Sequence, residues 1–232
     1  NPMRASEIHE AGYAHVIVTT GASWRRDGVG RNQWRPIPGH ERAHVFTPDD
    51  LLDGRAPAGR VLVYDNDHFY MGGALAERLA RQGCQVTLAT PAPLVSFWAQ
   101  HTLEQERIQR RLLELGVALA PLHTLRAIGQ AAAELANATT GRSAELACDA
   151  VVLVTDRLPN DALFHELRPA LADGRLHSLR AIGDAEAPHL IAQAVFAGHL
   201  AAREFDAPAG PDTPFEVERA GLTQGAAYAH AD

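Results

Sequence analysis

The stretch Arg60-Val61-Leu62-Val63-Tyr64-Asp65-Asn66-Asp67-His68-Phe69-Tyr70-Met71-Gly72-Gly73-Ala74-Leu75-Ala76-Glu77 decides the fold class of this chain. An apolar run, Val61 to Tyr64, predicts a buried strand. A tight turn follows, and a helix opens near Met71. This is the layout with which a dinucleotide-binding βαβ unit begins. Such a unit places glycine where Asp65, Asp67 and Tyr70 stand. Those glycines permit the turn, the approach of the pyrophosphate and the packing of helix on strand. Here two carboxylates occupy ground that a phosphate needs as bare N–H groups, and both repel an anion. The strand–turn–helix pattern is kept while the phosphate-binding chemistry is gone.

Working outward, helix Gly72 to Gln82 ends at Gly83, and a second strand, Gln85 to Ala89, follows. Leu103, Ile108, Leu112 and Leu115 recur at helical spacing up to Gly116. Val117 to Leu119 reads as a short strand, and residues 121–150 suit a small β-meander. Upstream, Ala14 to Ala22 is a strand ending in a Gly turn. Thr47-Pro48-Asp49-Asp50 starts a short helix, with Thr as cap, Pro at the first position and acids in the first turn. Asp149 to Asp156 repeats the pattern of Tyr13 to Gly21. The pair reads as the two places where the chain crosses between units. Leu179 to Ala185 is a strand ending in Gly-Asp. Helix Leu190 to Phe205 carries small residues (Ala192, Ala194, Ala197, Gly198, Ala201) suited to close packing on a sheet.

The fold class expected is therefore α/β, with two Rossmann-like domains arranged as in disulfide reductases. Residues 1–54 and 153–206 form an outer unit lacking its own first βαβ. Residues 55–152 form an inserted, degenerate NAD(P)-binding-like unit, and residues 207–232 form a C-terminal arm.

Composition bounds the function. The chain has 232 residues, 46% of them hydrophobic, and a formal net charge of -7. An acidic balance gives no reason to propose nucleic acid or an anionic membrane as partner. No apolar run approaches the roughly 20 residues of a membrane span. Cys84 and Cys148, each at or beside a predicted strand, read as buried thiols, which fits a reducing cytoplasm. Asn1-Pro2-Met3-Arg4 lacks the apolar core of a leader peptide, and residues 1–10 read like the middle of a domain. The expectation is a fragment of a longer polypeptide.

Several motifs resemble one family. They are residues 16–24 (Val-Ile-Val-Thr-Thr-Gly-Ala-Ser-Trp), Pro36 to Gly39, Thr47 to Asp50, Val63 to Gly73, Thr102 to Gln105 and Ile182 to Pro188. Together they resemble the C-terminal half of the trimethylamine dehydrogenase and histamine dehydrogenase family of iron–sulfur flavoproteins. The Asp-His-x-Tyr-Met-Gly-Gly turn is the most specific of them. The resemblance implies an oxidoreductase that oxidises a C–N bond of an amine. FMN and a [4Fe–4S] cluster would lie in an N-terminal barrel upstream of Asn1, and electrons would pass to an electron-transferring flavoprotein. It also implies a homodimeric parent, and an outer unit that holds ADP or FAD. The fragment alone would be inactive, with no catalytic residue and no metal ligand. One related alternative is an NAD(P)H-dependent enoate or dienoyl-CoA reductase on the same frame. Another is a non-enzymatic adaptor that docks a partner. The residues speak against the first. The glycine turn is lost, and the second strand ends in Thr90-Pro91, where a nicotinamide ribose needs an acid or a 2′-phosphate needs basic residues. NAD(P) is therefore disfavoured.

Candidate cofactor-binding residues are Thr20, Gly21, Ala22, Gly183, Asp184 and Ala185, two turns at strand ends. Asp184 suits ribose or ribitol hydroxyls, or simply caps the next helix. The second crossing reads Thr155-Asp156-Arg157, where the family usually has Thr-Gly-Arg. His40-Glu41-Arg42-Ala43-His44 has zinc-protease spacing but lies in a stretch that reads as extended, so it predicts no zinc site. Asp65, Asp67 and His68 are expected to satisfy turn N–H groups rather than hold a metal. Phe69 and Tyr70 are expected to fill the vacated cofactor volume. Trp24, Trp34, Arg25, Arg26, Arg31 and Arg35 form a basic aromatic loop that clamps phosphates, contacts the barrel or is simply solvated.

Overall fold

Burial on both faces makes residues 60–65 the middle of a parallel sheet. In the computed structural model, which describes residues 3–205, Val61 to Asp65 are no more than 1% exposed. A strand covered on both sides reads as an unbroken apolar run, as this one does. In chain order the first half comprises α1 (Ala5–Ala11), β1 (His15–Val18), β2 (Ala22–Trp24), β3 (Val45–Phe46), α2 (Pro48–Leu52), β4 (Arg60–Asp65), α3 (Tyr70–Arg81) and β5 (Gln85–Thr90). A 3-10 helix (Phe97–Thr102) precedes α4 (Gln105–Glu114), β6 (Ala118–Pro121), β7 (His123–Ile128), β8 (Ala132–Asn137) and β9 (Ser143–Ala147). Then come β10 (Ala150–Val154), β11 (Arg157–Pro159), α5 (Ala162–Ala172), β12 (Ser178–Ala181) and α6 (Ile191–Arg203).

The central sheet has the order β3-β10-β4-β5-β6, all parallel. Period-two alternation sorts its side chains. Val61, Val63, Val152 and Val154 face Leu75 and Leu79 of α3 and Leu112 of α4. Leu62, Tyr64, Val151 and Leu153 face Ile37 and the antiparallel meander β7-β8-β9 through Leu125, Ile128 and Leu135. The sheet is thus sandwiched between helices and a three-stranded layer, and the expected meander stands where it was read.

A separate core, Ile8, Val18, Leu167, Ala170, Leu176 and Leu179, lies among α1, β1, α5 and β12. β1 and β12 pair in parallel as a two-stranded sheet. The antiparallel ribbon β2–β11 carries the chain across between the two cores.

The central sheet draws strands from outside residues 55–152. It takes β3 and the capped helix α2 from before them, and the last two residues of β10 from after them. β10, so similar in sequence to residues 13–21, pairs with β4 and not with β1. The crossing follows it directly, at Arg157. α1 and α5 are additional helices that the apolar pattern had not marked. The close packing expected of α6 is not found: Ala192 and Ala194 are exposed, a Cβ at Gly198 would meet nothing within 4 Å, and only Ala201 of the helix is buried. Residues 206–232, including the expected arm, lie outside the described residues.

Gly72 holds α3 against the end of β4. A Cβ there would stand 2.6 Å from Asp65 Cγ. The replacement Gly72→Ala should lower stability by about 1–3 kcal/mol through overpacking, read as a shift in the urea midpoint. An unchanged midpoint would show that the helix can slide off the strand end at no cost.

Candidate functional site

The turn after β4 is closed by its own carboxylate. Asp65 is fully buried, and its Oδ1 accepts the backbone N–H groups of His68 (2.9 Å) and Asp67 (3.2 Å). His68 takes a positive φ of 70°, a conformation rare for a residue with a side chain. An internal anion thus occupies the N–H groups that a phosphate-binding turn presents. The expected role of this turn is met by Asp65. Thr90 is equally committed: buried, its Oγ1 lies 3.2 Å from His68 Nδ1 and accepts the N–H of Ala92 at 3.3 Å. The side chains that close both strand ends are thus engaged within the chain.

Burial pushes the Asp65 carboxyl up to about 7, against the downward pull of the His68 and Asp67 N–H groups. Burial and the charge of Arg31 hold His68 down at about 4. Asp67 is also raised, by burial first, with the charges of Arg157 and Arg31 opposing.

The vacated volume is not plugged. Tyr70 points outward, 41% exposed, its hydroxyl donating to Glu104 Oε2 (2.8 Å) and lying 2.9 Å from Thr102 Oγ1. Phe69 lines an open cleft of about 750 Å3. The expectation that Phe69 and Tyr70 fill the space is therefore corrected. The phenol finds polar partners at the surface, and burying it without one would cost its hydration. The cleft lies beyond the carboxyl ends of β4 and β10, where the chain order in the sheet turns outward in both directions. Open α/β sheets hold ligands at such a switch point. Trp98, which the sequence reading did not single out, faces this cleft beside Phe69, their rings 6.1 Å apart at 25°. Its only sequence signal is an aromatic pair, Phe97-Trp98, after a turn.

The two candidate cofactor turns do come together. Val18 pairs with Ala181, and the N–H of Ile182 donates to the Val18 carbonyl (3.1 Å). Thr20-Gly21-Ala22 and Gly183-Asp184-Ala185 therefore leave the same end of the β1–β12 sheet, with Gly21 and Gly183 both at positive φ. Asp184, however, is occupied. Its Oδ2 pairs with Arg157 Nη1 at 2.6 Å and its Oδ1 accepts the N–H of His189 at 3.0 Å. Thr20 and Gly21 are bonded to Asn160, the Thr20 hydroxyl and Gly21 carbonyl both meeting its backbone. Both Asp184 carboxylate oxygens and the Thr20 hydroxyl are thus engaged within the chain.

Elsewhere, residues 40–44 form turns, not a helix, and His44 Nε2 lies 3.1 Å from the Gly129 carbonyl. No group of three or more His, Cys, Asp or Glu among the described residues could hold a metal ion. Of the basic loop, Arg25 pairs with Asp27, Arg26 with Asp50, and Arg31 faces the cleft. Cys148 is buried and Cys84 partly so, both as free thiols. No described helix is long and apolar enough to cross a membrane.

Comparison with known proteins places this geometry. Residues 46–144 match the OYE-like second alpha/beta domain. Dimethylamine dehydrogenase of Hyphomicrobium sp. (strain x) is 33% identical, over 94% of this chain and 33% of that protein. Histamine dehydrogenase from Rhizobium sp. 4-9 is 40% identical with a TM-score of 0.88, over 94% of this chain and 35% of that one. The 6-hydroxypseudooxynicotine amine oxidase from Pseudomonas geniculata N1 is 42% identical with a TM-score of 0.87, over 89% of this chain and 31% of that one. The chain is homologous to the dimethylamine and histamine dehydrogenases over nearly its whole length, as the sequence motifs implied, and it spans about a third of theirs. A water-forming NADH oxidase from Lactobacillus brevis, at 18% identity and a TM-score of 0.55, shares the fold alone.

The buried turn makes a pH-dependent prediction. A folded-state carboxyl above its usual 3.8 favours the protonated form. The cost of Asp65 to stability is therefore absent below pH 4 and grows until pH 7. His68, below its usual 6.5, has the opposite slope: its cost is absent above pH 6.5 and grows as pH falls to 4. The change Asp65→Asn should stabilise increasingly from pH 4 to pH 8 relative to the parent chain, by about 2–4 kcal/mol at the upper end. Urea unfolding of both proteins at pH 4.5, 6 and 8 measures this difference. A pH-independent difference would mean that Asp65 is not a titrating buried group.

Proposed function

We propose that this chain is the C-terminal, nucleotide-binding-like portion of a cytoplasmic, amine-oxidising flavoenzyme. In this reading it has two Rossmann-like units, an outer one built from both ends and an inner one around the five-stranded sheet. Their boundaries are best drawn at the β2–β11 ribbon. An N-terminal barrel, outside this sequence, would carry FMN and a [4Fe–4S] cluster and supply the C–N oxidation. The parent would act as a homodimer and pass electrons to an electron-transferring flavoprotein. The residues described here would supply structure, with ADP or FAD held at Thr20, Gly21, Ala22, Gly183, Asp184 and Ala185.

One observation carries this reading: homology to amine dehydrogenases along nearly the whole chain. The inner turn agrees with it. An NAD(P)H-dependent reductase on this frame needs a turn open to pyrophosphate, and here Asp65 Oδ1 holds the N–H groups. An adaptor role has no specific observation in its favour.

The full-length protein tests the proposal. Acid extraction should release an adenine nucleotide, and Asp184→Ala should lower its occupancy several-fold while covalent flavin and iron content stay unchanged. An amine should bleach the flavin anaerobically, and NADPH should not. Rapid flavin reduction by NADPH would overturn this reading in favour of the reductase.

A further inference from the structure

We propose that the cleft beyond the carboxyl ends of β4 and β10 binds a planar aromatic acid carrying a single carboxylate, with Trp98 and Phe69 as its stacking wall and Arg31 as its anion partner. The volume, about 750 Å3, is that of a small-molecule site. Phe69 and Trp98, stacked with their rings 6.1 Å apart and 25° from parallel, form an aromatic wall to the cleft. Trp34, 86% exposed, lines the same cleft and can cover a ligand's second face. Exposed aromatic side chains are costly to leave in water, and a flat ligand would bury them.

The charges narrow the class. Arg157 also lines the cleft, but Asp184 and the His189 carbonyl already hold its guanidinium. Arg31 makes no side-chain hydrogen bond among the described residues, though its charge acts on Asp67 and His68. Its guanidinium sits 5.9 Å from the centre of the Trp98 ring. A guanidinium whose donors are open in this way matches one carboxylate, the group its fork geometry fits. Asp67 and Asp156 line the same cleft and repel the several charges of a polyphosphate far more than one carboxylate, and a cationic amine would meet both arginines.

Calorimetric titration of the full-length protein with quinoline-2-carboxylate and with indole-3-acetate tests the site. At least one of the two acids should saturate a single site. Quinoline-2-carboxamide, which lacks the charge, and cyclohexanecarboxylate, which lacks the ring, should bind roughly tenfold or more weakly. Arg31→Gln and Trp98→Leu should each weaken the acid by a similar factor while leaving the circular dichroism unchanged. Arg31 makes no side-chain hydrogen bond among the described residues, and the circular dichroism of Trp98→Leu checks that losing the Phe69 and His101 ring contacts has not disturbed the fold. The proposal fails if both acids do not bind, if the two variants bind them as the parent does, or if ADP displaces them more tightly than they bind.

Discussion

The Asp65 carboxylate against the turn N–H groups is the constraint on which the rest depends. A strand that stops in the middle of a parallel sheet leaves backbone donors at its end, and a helix that starts there adds more. Nucleotide-binding relatives of this architecture leave those donors to a phosphate. This chain fills them from within, at the expense of burying an ionisable group up to its neutral range. Gly72 is needed because the carboxylate sits where the helix must pass. His68 is bent to positive φ because the chain must wrap around that carboxylate, and the bend brings its ring to Thr90. Three features that look independent in sequence, Asp65, Gly72 and Thr90, are thus parts of one closed turn.

Much of the inner unit was legible because its signals are local. The apolar run of β4, the helical spacing of α3 and α4 and the Thr47 cap each report on their own neighbourhood. In the structure Thr47 and Asp50 do cap reciprocally. Pairing is not local. β10 and β1 look alike, each a short run of apolar β-formers followed by Thr, yet one is buried on both faces between β3 and β4 and the other is half exposed beside β12. Nothing within either segment states which sheet will receive it. α5 escaped notice because Pro169 interrupts its pattern and only Leu167 and Ala170 are fully buried.

The candidate site divides in the same way. Thr20-Gly21 and Gly183-Asp184 were legible as turns at strand ends; that their strands pair in parallel, so that both turns leave one sheet end, came from the structure. That Asp184 would be held by Arg157 could not be read, because the partner comes from a ribbon 27 residues away in sequence. The plug expected of Phe69 and Tyr70 followed from volume alone. Volume does not say which way a side chain turns, and the Tyr70 hydroxyl turned toward Glu104 and Thr102.

A closed turn and an open cleft are compatible for a physical reason. Phosphate recognition needs backbone N–H groups at one point, whereas the crevice at a switch point comes from the divergence of the connections on either side of it. The first can be lost by one substitution at Asp65. The second persists as long as the strand order does. Once the phosphate anchor is gone, the walls decide what the crevice can hold, and here they include the Phe69 and Trp98 rings, the Arg31 guanidinium and flanking carboxylates. In the proposed reading a nucleotide would sit at the β1–β12 end, while the crevice beside the central sheet is left to the chemistry of its own walls.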